Sequence, residues 1–220
     1  MDFNDFLRTV SIGAIPILFA ITMRGVAQGW VAKWCGDRTA ESQGRLSLNP
    51  LTHIDPLGTI VLPAILILLG SKFLLGWSKP VPINPRAMRD PRWGMVKVAL
   101  AGPAANVLMA IVWVLSVSLA ASGVFPPLAS QWLYEMARMG VIANIWLAAF
   151  HLLPILPLDG GRVLVNALPP GSTFRRWLEQ LEPYGFIIVL ALSYLGLLNV
   201  PIAALGLVIQ RIVFLVTGHG

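Results

Sequence analysis

The sequence predicts an all-α polytopic membrane protein, and three observations carry that prediction. Apolar runs of roughly 20 residues, the length that spans a hydrocarbon core, recur along the 220-residue chain. Only 12% of its residues are charged against 56% hydrophobic, whereas soluble domains carry about 25% charged residues. Mean hydropathy is +0.75, more apolar than one globular core can hide. Four or five crossings packed as one compact bundle, a single membrane domain over residues 1–220, accommodate these runs.

The first helix is expected at about 9–34, where Val10 to Trp34 is interrupted mainly by Arg24, Gln28 and Lys33. The second, 57–76, either crosses or dips in and returns, since Pro63 and Gly70 permit a bend. A third runs over 94–122. A shorter one, 138–153, continues into a Pro-rich segment. The long run Tyr184–Thr217 holds two helices, 184–198 and 201–217, broken near Asn199-Val200-Pro201. Residues 35–56, 77–94, 123–138 and 154–183 read as polar connections. Within them Gly44–Pro50 alternates polar and apolar residues before a turn signal, which predicts a short strand. Pro80-Val81-Pro82-Ile83-Asn84-Pro85 is held extended by its prolines. Such backbone survives near a membrane only when it is buried in protein or faces water. The opening Met1–Asp5 has neither a basic region nor a cleavage site, so the first apolar helix is expected to stay with the chain. Lys and Arg counts place the 77–94 and 154–183 connections in the cytoplasm if every apolar segment crosses fully.

The net charge of +6 and pI near 10.1 raise the possibility of nucleic acid, which is rejected. The basic residues are spread through the connections instead of forming one face of a soluble domain, and they read as membrane-flanking charges. The single cysteine, Cys35, excludes an internal disulfide framework and a cysteine-based metal cluster.

Intramembrane polar residues are costly and mark function. Arg24 and Gln28 stand four residues apart, hence on one helical face. Far downstream, Asp159 sits at a Gly-Gly turn in Leu158-Asp159-Gly160-Gly161-Arg162, just past an apolar helix that ends near His151. Further short motifs are Gly36-Asp37-Arg38-Thr39-Ala40, Gly44-Arg45-Leu46-Ser47-Leu48-Asn49-Pro50, His53-Ile54-Asp55-Pro56, Gly58-Thr59, Lys79-Pro80-Val81-Pro82, Asn84-Pro85 and Ala101-Gly102-Pro103-Ala104-Ala105-Asn106.

In this order the motifs resemble the compact bacterial branch of the site-2 proteases, a family of intramembrane zinc metalloproteases, in register over roughly residues 10–170. The resemblance implies a helical bundle with short extended or β segments near the site, in a bacterial inner membrane. It also implies a His-Glu-x-x-His motif in the first helix, whose two histidines bind zinc and whose Glu activates the metal-bound water. The Asp of the Leu-Asp-Gly motif is the family's third ligand. Here the five motif positions are Arg24, Gly25, Val26, Ala27 and Gln28, and Asp159 alone matches. An arginine offers donors and a permanent charge but no lone pair, Gln28 has at best a weak carbonyl ligand, and Gly25 has no base. Residues 24–28 and Asp159 are expected to meet near the cytoplasmic side. His151 stands where the family has Asn, a substrate-holding position. A zinc site rebuilt from His151, Asp159 and His53 is one alternative.

An Arg24–Asp159 salt bridge is expected to replace the lost cation, the plainer alternative being that Arg24 snorkels to the interface. Gly25 and Gly29 form a small-xxx-small step suited to close helix approach. Trp30, Trp34, Trp77 and Trp93 read as interface anchors, and Arg86, Arg89 and Arg92 as a basic connection meeting headgroups or solvent. Asn106, near an expected helix start, serves capping, packing or substrate contact. The resulting expectation is a non-catalytic homologue that binds transmembrane helices of other membrane proteins, with the lipid bilayer as its other partner and no zinc bound. One alternative is an active protease whose working form carries the intact motif, a form that Arg24→His, Gly25→Glu and Gln28→His would recreate. A second is a transporter or proton path through Arg24, His151 and Asp159.

Overall fold

The computed structural model describes residues 3–68 and 78–218. The chain is an all-α polytopic membrane protein, built from helices α1 (Phe3–Trp34), α2 (Thr39–Ser42), α3 (Leu62–Leu68), α4 (Pro91–Ala121), α5 (Pro127–His151), α6 (Asp159–Ala167), α7 (Thr173–Leu181), α8 (Gly185–Tyr194) and α9 (Asn199–Thr217). Helices α1, α4 and α9 are long and apolar enough to cross a membrane. Trp77 and the last part of the expected second helix, residues 69–76, lie outside the described residues, and with them the choice between a crossing and a re-entrant loop. Its described beginning is a π-helical stretch, Pro56–Val61, leading into α3.

Four Asx-Pro pairs start helical turns by one mechanism. Proline fits the first helical position because its missing N–H is not needed there, and the preceding Asn or Asp side chain accepts an orphan backbone N–H. Asn49 accepts from Leu51 N, Asp55 from Leu57 N and Gly58 N, Asn84 from Arg86 N, and Asp90 from Trp93 N, all at 2.9–3.1 Å. Asp90 therefore places the start of α4 at Pro91. Pro103 lies inside that helix, and Asn106 is mid-helix instead of near a start.

Several expected boundaries need correction. Helix α5 begins at Pro127, eleven residues before the expected 138, because Gln131, Glu135 and Arg138 punctuate the run without breaking its helical backbone. The 154–183 connection contains α6 and α7, short helices with strongly polar faces that hydropathy alone does not register. No strand occurs among the described residues. Gly44–Asn49 is turn and coil, because Arg45 points inward instead of alternating outward. Residues 78–84 do lack helix, as their prolines require.

Helices α1, α4 and α5 cross on small residues. Ala20 and Ala32, Ala99, Ala105 and Ala110, and Ala137, Ala148 and Ala149 are all buried, which lets backbones approach where lipid supplies no hydrophobic drive for association. A Cβ on Gly140 would lie 2.4 Å from the Trp113 ring, so glycine is what permits that crossing. Helix α9 closes the bundle, with Ile202, Ile209 and Val213 packed in one cluster with Ala148, Leu153 and Leu158. The Gly25/Gly29 step, expected from its spacing to allow close helix approach, does not meet another spanning helix. Gly25 faces His53 and Val81, and Gly29 faces Leu46, Ala40 and Val81.

The segments against that face are tied down by Arg45. Its guanidinium donates to the carbonyls of Thr52, Lys79 (2.8 Å) and Pro80 (3.4 Å). Asp37 adds a second staple, accepting from Thr39 N at 2.9 Å and from Asn84 N at 2.7 Å. His53 is fully enclosed, with Nε2 2.9 Å from the Ser47 carbonyl. Because a carbonyl only accepts, Nε2 carries the proton. Burial, aided by the Arg45 charge and opposed by the Ser47 carbonyl, holds the His53 pKa below its ordinary 6.5. The unfolded chain therefore takes up a proton that the folded chain resists. Stability is expected to fall as pH drops through 6.5, read as a lower thermal midpoint at pH 5.5 than at pH 7.5. His53→Gln should flatten that slope, and an unchanged slope would remove His53 from the account.

Candidate functional site

The site forms where α1, the end of α5 and the start of α6 converge. Helix α6 reaches this position through glycine. A Cβ on Gly160 would stand 2.1 Å from the Leu152 carbonyl oxygen, and one on Gly161 2.4 Å from the backbone of Ile155 and Leu156. No other residue allows the helix to sit so close to the 152–156 backbone. Asp159 is thereby the first residue of α6, not a residue of a turn, and its carboxylate is buried. The other end of α6 is held by Arg92, whose Nε and Nη2 donate to the carbonyls of Asn166 (2.9 Å) and Ala167 (2.7 Å). Arg92 thus satisfies terminal helix carbonyls, unlike Arg86 and Arg89, which are exposed.

The pairing expected between Arg24 and Asp159 is present. Arg24 Nη2 donates to Asp159 Oδ2 at 2.7 Å, and Gln28 Nε2 donates to Oδ1 at 3.0 Å. Both carboxylate oxygens therefore carry an N–H donor from one face of α1. The same Arg24 Nη2 lies 2.9 Å from His151 Nδ1. A guanidinium has no lone pair to offer, so His151 Nδ1 accepts. His151 and Asp159 stand 3.8 Å apart on either side of this cation. The floor is Gly102 of α4, where a Cβ would come within 2.9 Å of Gln28 Nε2 and 3.1 Å of Arg24 Cγ. Arg24 Nε is buried and finds no acceptor among the described residues. Gly25 faces away from the Asp159 cluster, toward the His53 ring.

Asn106 is not in this cluster. Fully buried, it donates through Nδ2 to the Ala20 carbonyl (3.3 Å) and to Asn144 Oδ1 (2.9 Å), while Asn144 donates to the Gly140 carbonyl (2.8 Å). It ties α4 to α1 and α5 one turn away from Gly102. Asn144 was missed, although a lone Asn in an apolar helix is itself a signal. Arg92, expected with Arg86 and Arg89 to meet headgroups or solvent, instead binds the α6 carbonyls, and neither its role nor that of Arg45 is legible in sequence because backbone carbonyls are partners that no motif announces. His53, paired with Ser47, is not joined to His151 and Asp159. Among the described residues no three His, Cys, Asp or Glu side chains gather as a metal-holding group, so the rebuilt zinc site does not form.

Curated relatives share one name. The chain is 39% identical over 180 residues to YwhC of Bacillus subtilis, spanning 81% of this chain and 78% of that protein. It is 30% identical over 208 residues to Rip2 of Mycolicibacterium smegmatis, spanning 89% and 73%. A shorter match, 40% over 68 residues, links it to MJ0611 of Methanocaldococcus jannaschii, covering 31% of this chain and 32% of that one. All three bear the name "Putative zinc metalloprotease". The chain belongs to the site-2 protease family. No family model and no solved structure matches it.

Zinc is the metal those names imply for the family, and the residues present do not fit it. A catalytic zinc takes three protein ligands with lone pairs and keeps one open position. Here the α1 positions facing Asp159 hold a guanidinium and an amide N–H, both donors, and both oxygens of the one carboxylate are occupied. A second cation beside Arg24 would meet like charge at short range.

Proposed function

We propose that this chain is a non-catalytic site-2 protease homologue, multi-pass in a bacterial inner membrane, that holds transmembrane segments of other membrane proteins without cutting them. The observation that carries the reading is the ion pair at the centre of the site. The Arg24 guanidinium, 2.7 Å from the Asp159 carboxylate, supplies from within the chain the positive charge that a metal would bring. Gly25 adds no base, since it has no side chain to accept a proton. Around this emptied motif the supporting architecture stays specific, from Gly102 beneath it to the Gly160-Gly161 approach and the Arg45 clasp. His151, at the α5 terminus beside Arg24, is the side chain proposed to hold an incoming helix in place, whereas Asn106, fully buried and bonded to Ala20 and Asn144, is left to pack α4 against α1 and α5.

The relatives' names favour a second reading, an intramembrane zinc metalloprotease whose working form carries the intact motif. One reconstitution separates the two. The purified chain is placed in proteoliposomes with fluorescently labelled single-span helices containing a helix-breaking Gly or Pro. Energy transfer reports association, and gel electrophoresis reports fragments. Association without fragments is the expected result. Fragments that disappear with Asp159→Asn and with a chelator would sink the non-catalytic reading and support the enzyme.

A further inference from the structure

We infer that α7 is an interfacial helix, lying with its apolar face in the headgroup boundary of the bilayer that α8 and α9 enter. The inference is independent of whether the site cuts or only binds. Along α7, Phe174, Trp177, Leu178 and Leu181 follow the i, i+3, i+4, i+7 spacing of one helix face. Arg175, Arg176, Glu179 and Gln180 occupy the other. The helix is firmly built: Ser172 accepts the Arg175 N–H at 3.3 Å to cap it, and Arg175 Nε donates to Glu179 Oε1 at 2.8 Å along its polar side.

A helix with such a stripe normally buries it against a core. This one buries no residue at all. Phe174 and Trp177 are 51% and 54% exposed, and their rings stack at 6.1 Å between centroids, offering one continuous aromatic plate. Continuity with the membrane-facing surface names the occupant. The chain passes from α7 through the Glu182–Tyr184 turn straight into α8, where Phe186, Ile187 and Leu190 are exposed in turn, and on to α9, a span by length and composition. Tyr184, also exposed, stands at the junction. Trp and Tyr concentrate at the headgroup level because one end of each ring is apolar and the other polar. Arg175 and Arg176 stand on the face that would meet lipid phosphates. Amphipathic helices of this kind sink about 5–10 Å into the boundary. The position of α7 is not free to drift, since α6 just before it is tied at Asp159 by α1 and at Asn166 and Ala167 by Arg92.

Spin-label accessibility in the full chain tests this. In a Cys35→Ser background reconstituted into nanodiscs of phosphatidylcholine and phosphatidylglycerol, labels are attached through Phe174→Cys, Trp177→Cys, Arg176→Cys and Gln180→Cys. Val208→Cys on α9 serves as the lipid reference. The ratio of oxygen to nickel-chelate accessibility is expected to be several-fold higher at 174 and 177 than at 176 and 180, and lower than at 208. Equal, high nickel accessibility at all four positions means a solvated helix and overturns the proposal. Low accessibility to both reagents at 174 and 177 means a protein cover, such as a second copy, and overturns it equally. Because a label replaces the aromatic ring, a second measurement keeps the native plate. Quenching by brominated lipids, taken as the difference between the unlabelled chain and Trp177→Phe, is expected to be strongest for bromines nearest the headgroup. A Trp177 signal untouched by any brominated lipid would count against the inference.

Discussion

Arg24→Ala is expected to destabilise the folded chain by roughly 3–5 kcal/mol, the cost of stranding a buried charge by removing its partner. Asp159 is 4% exposed, and without Arg24 its carboxylate would keep Gln28 as its one remaining side-chain donor. His151 cannot take over from 3.8 Å without being both protonated and moved. The comparison that isolates the pair is a double-mutant cycle. Arg24→Met together with Asp159→Leu removes both charges and replaces them with apolar groups of similar length. That change is often close to neutral for buried pairs, so the double variant should be more stable than Arg24→Met or Asp159→Leu alone. Reversible denaturation in mixed micelles, followed by far-ultraviolet circular dichroism, gives all four stabilities. If Arg24→Ala lies within about 0.5 kcal/mol of the parent, the range of an ordinary surface change, the guanidinium is not standing in for a metal and the proposal loses its main support.

Arg24→His combined with Gln28→His is expected to raise zinc content from essentially none to about one ion per chain, measured by elemental analysis after mild dialysis in detergent. The two substitutions act together on geometry already in place. Residues 24 and 28 face Asp159 at i and i+4, as their hydrogen bonds to its two oxygens demonstrate. Exchanging both donors for imidazole nitrogens frees the carboxylate and completes a set of three lone-pair ligands. Gly102 leaves the floor open for rings at those positions. Adding Gly25→Glu is a separate matter. A Cβ there would lie 3.1 Å from His53 Nδ1 and 3.3 Å from Val81 Cγ2, so a new side chain needs His53 or Val81 to give way slightly. The double variant should therefore bind metal without cutting, and proteolysis should appear only in the triple variant. About one zinc per chain in the unmodified protein would overturn the non-catalytic reading outright.

Much of this molecule is written in local chemistry. The membrane class follows from hydropathy, and the meeting of Arg24 and Gln28 with Asp159 follows from helical spacing combined with the family resemblance. Each Asx-Pro pair announces its own turn, because cap and proline act within three residues of one another. Other features depend on partners distant in sequence, and no local pattern carries them. Arg45 reads as one more polar residue in a connection until the carbonyls of Lys79 and Pro80 are brought to it. The Gly25/Gly29 spacing permits close approach but does not say to what, and the structure assigns it to His53, Leu46 and Val81 instead of a helix. Helices α6 and α7 escape a hydropathy reading because each is short and its apolar residues occupy one face only. Fold class is thus a property of residue type and short-range spacing, and the emptied motif is what the family resemblance adds to them. The satisfaction of polar groups by partners far off in sequence, with buried Arg45 and half-buried Arg92 on backbone carbonyls and buried Asn106 on Asn144, was decided by tertiary structure. A buried donor must find whichever acceptor the packed chain places beside it.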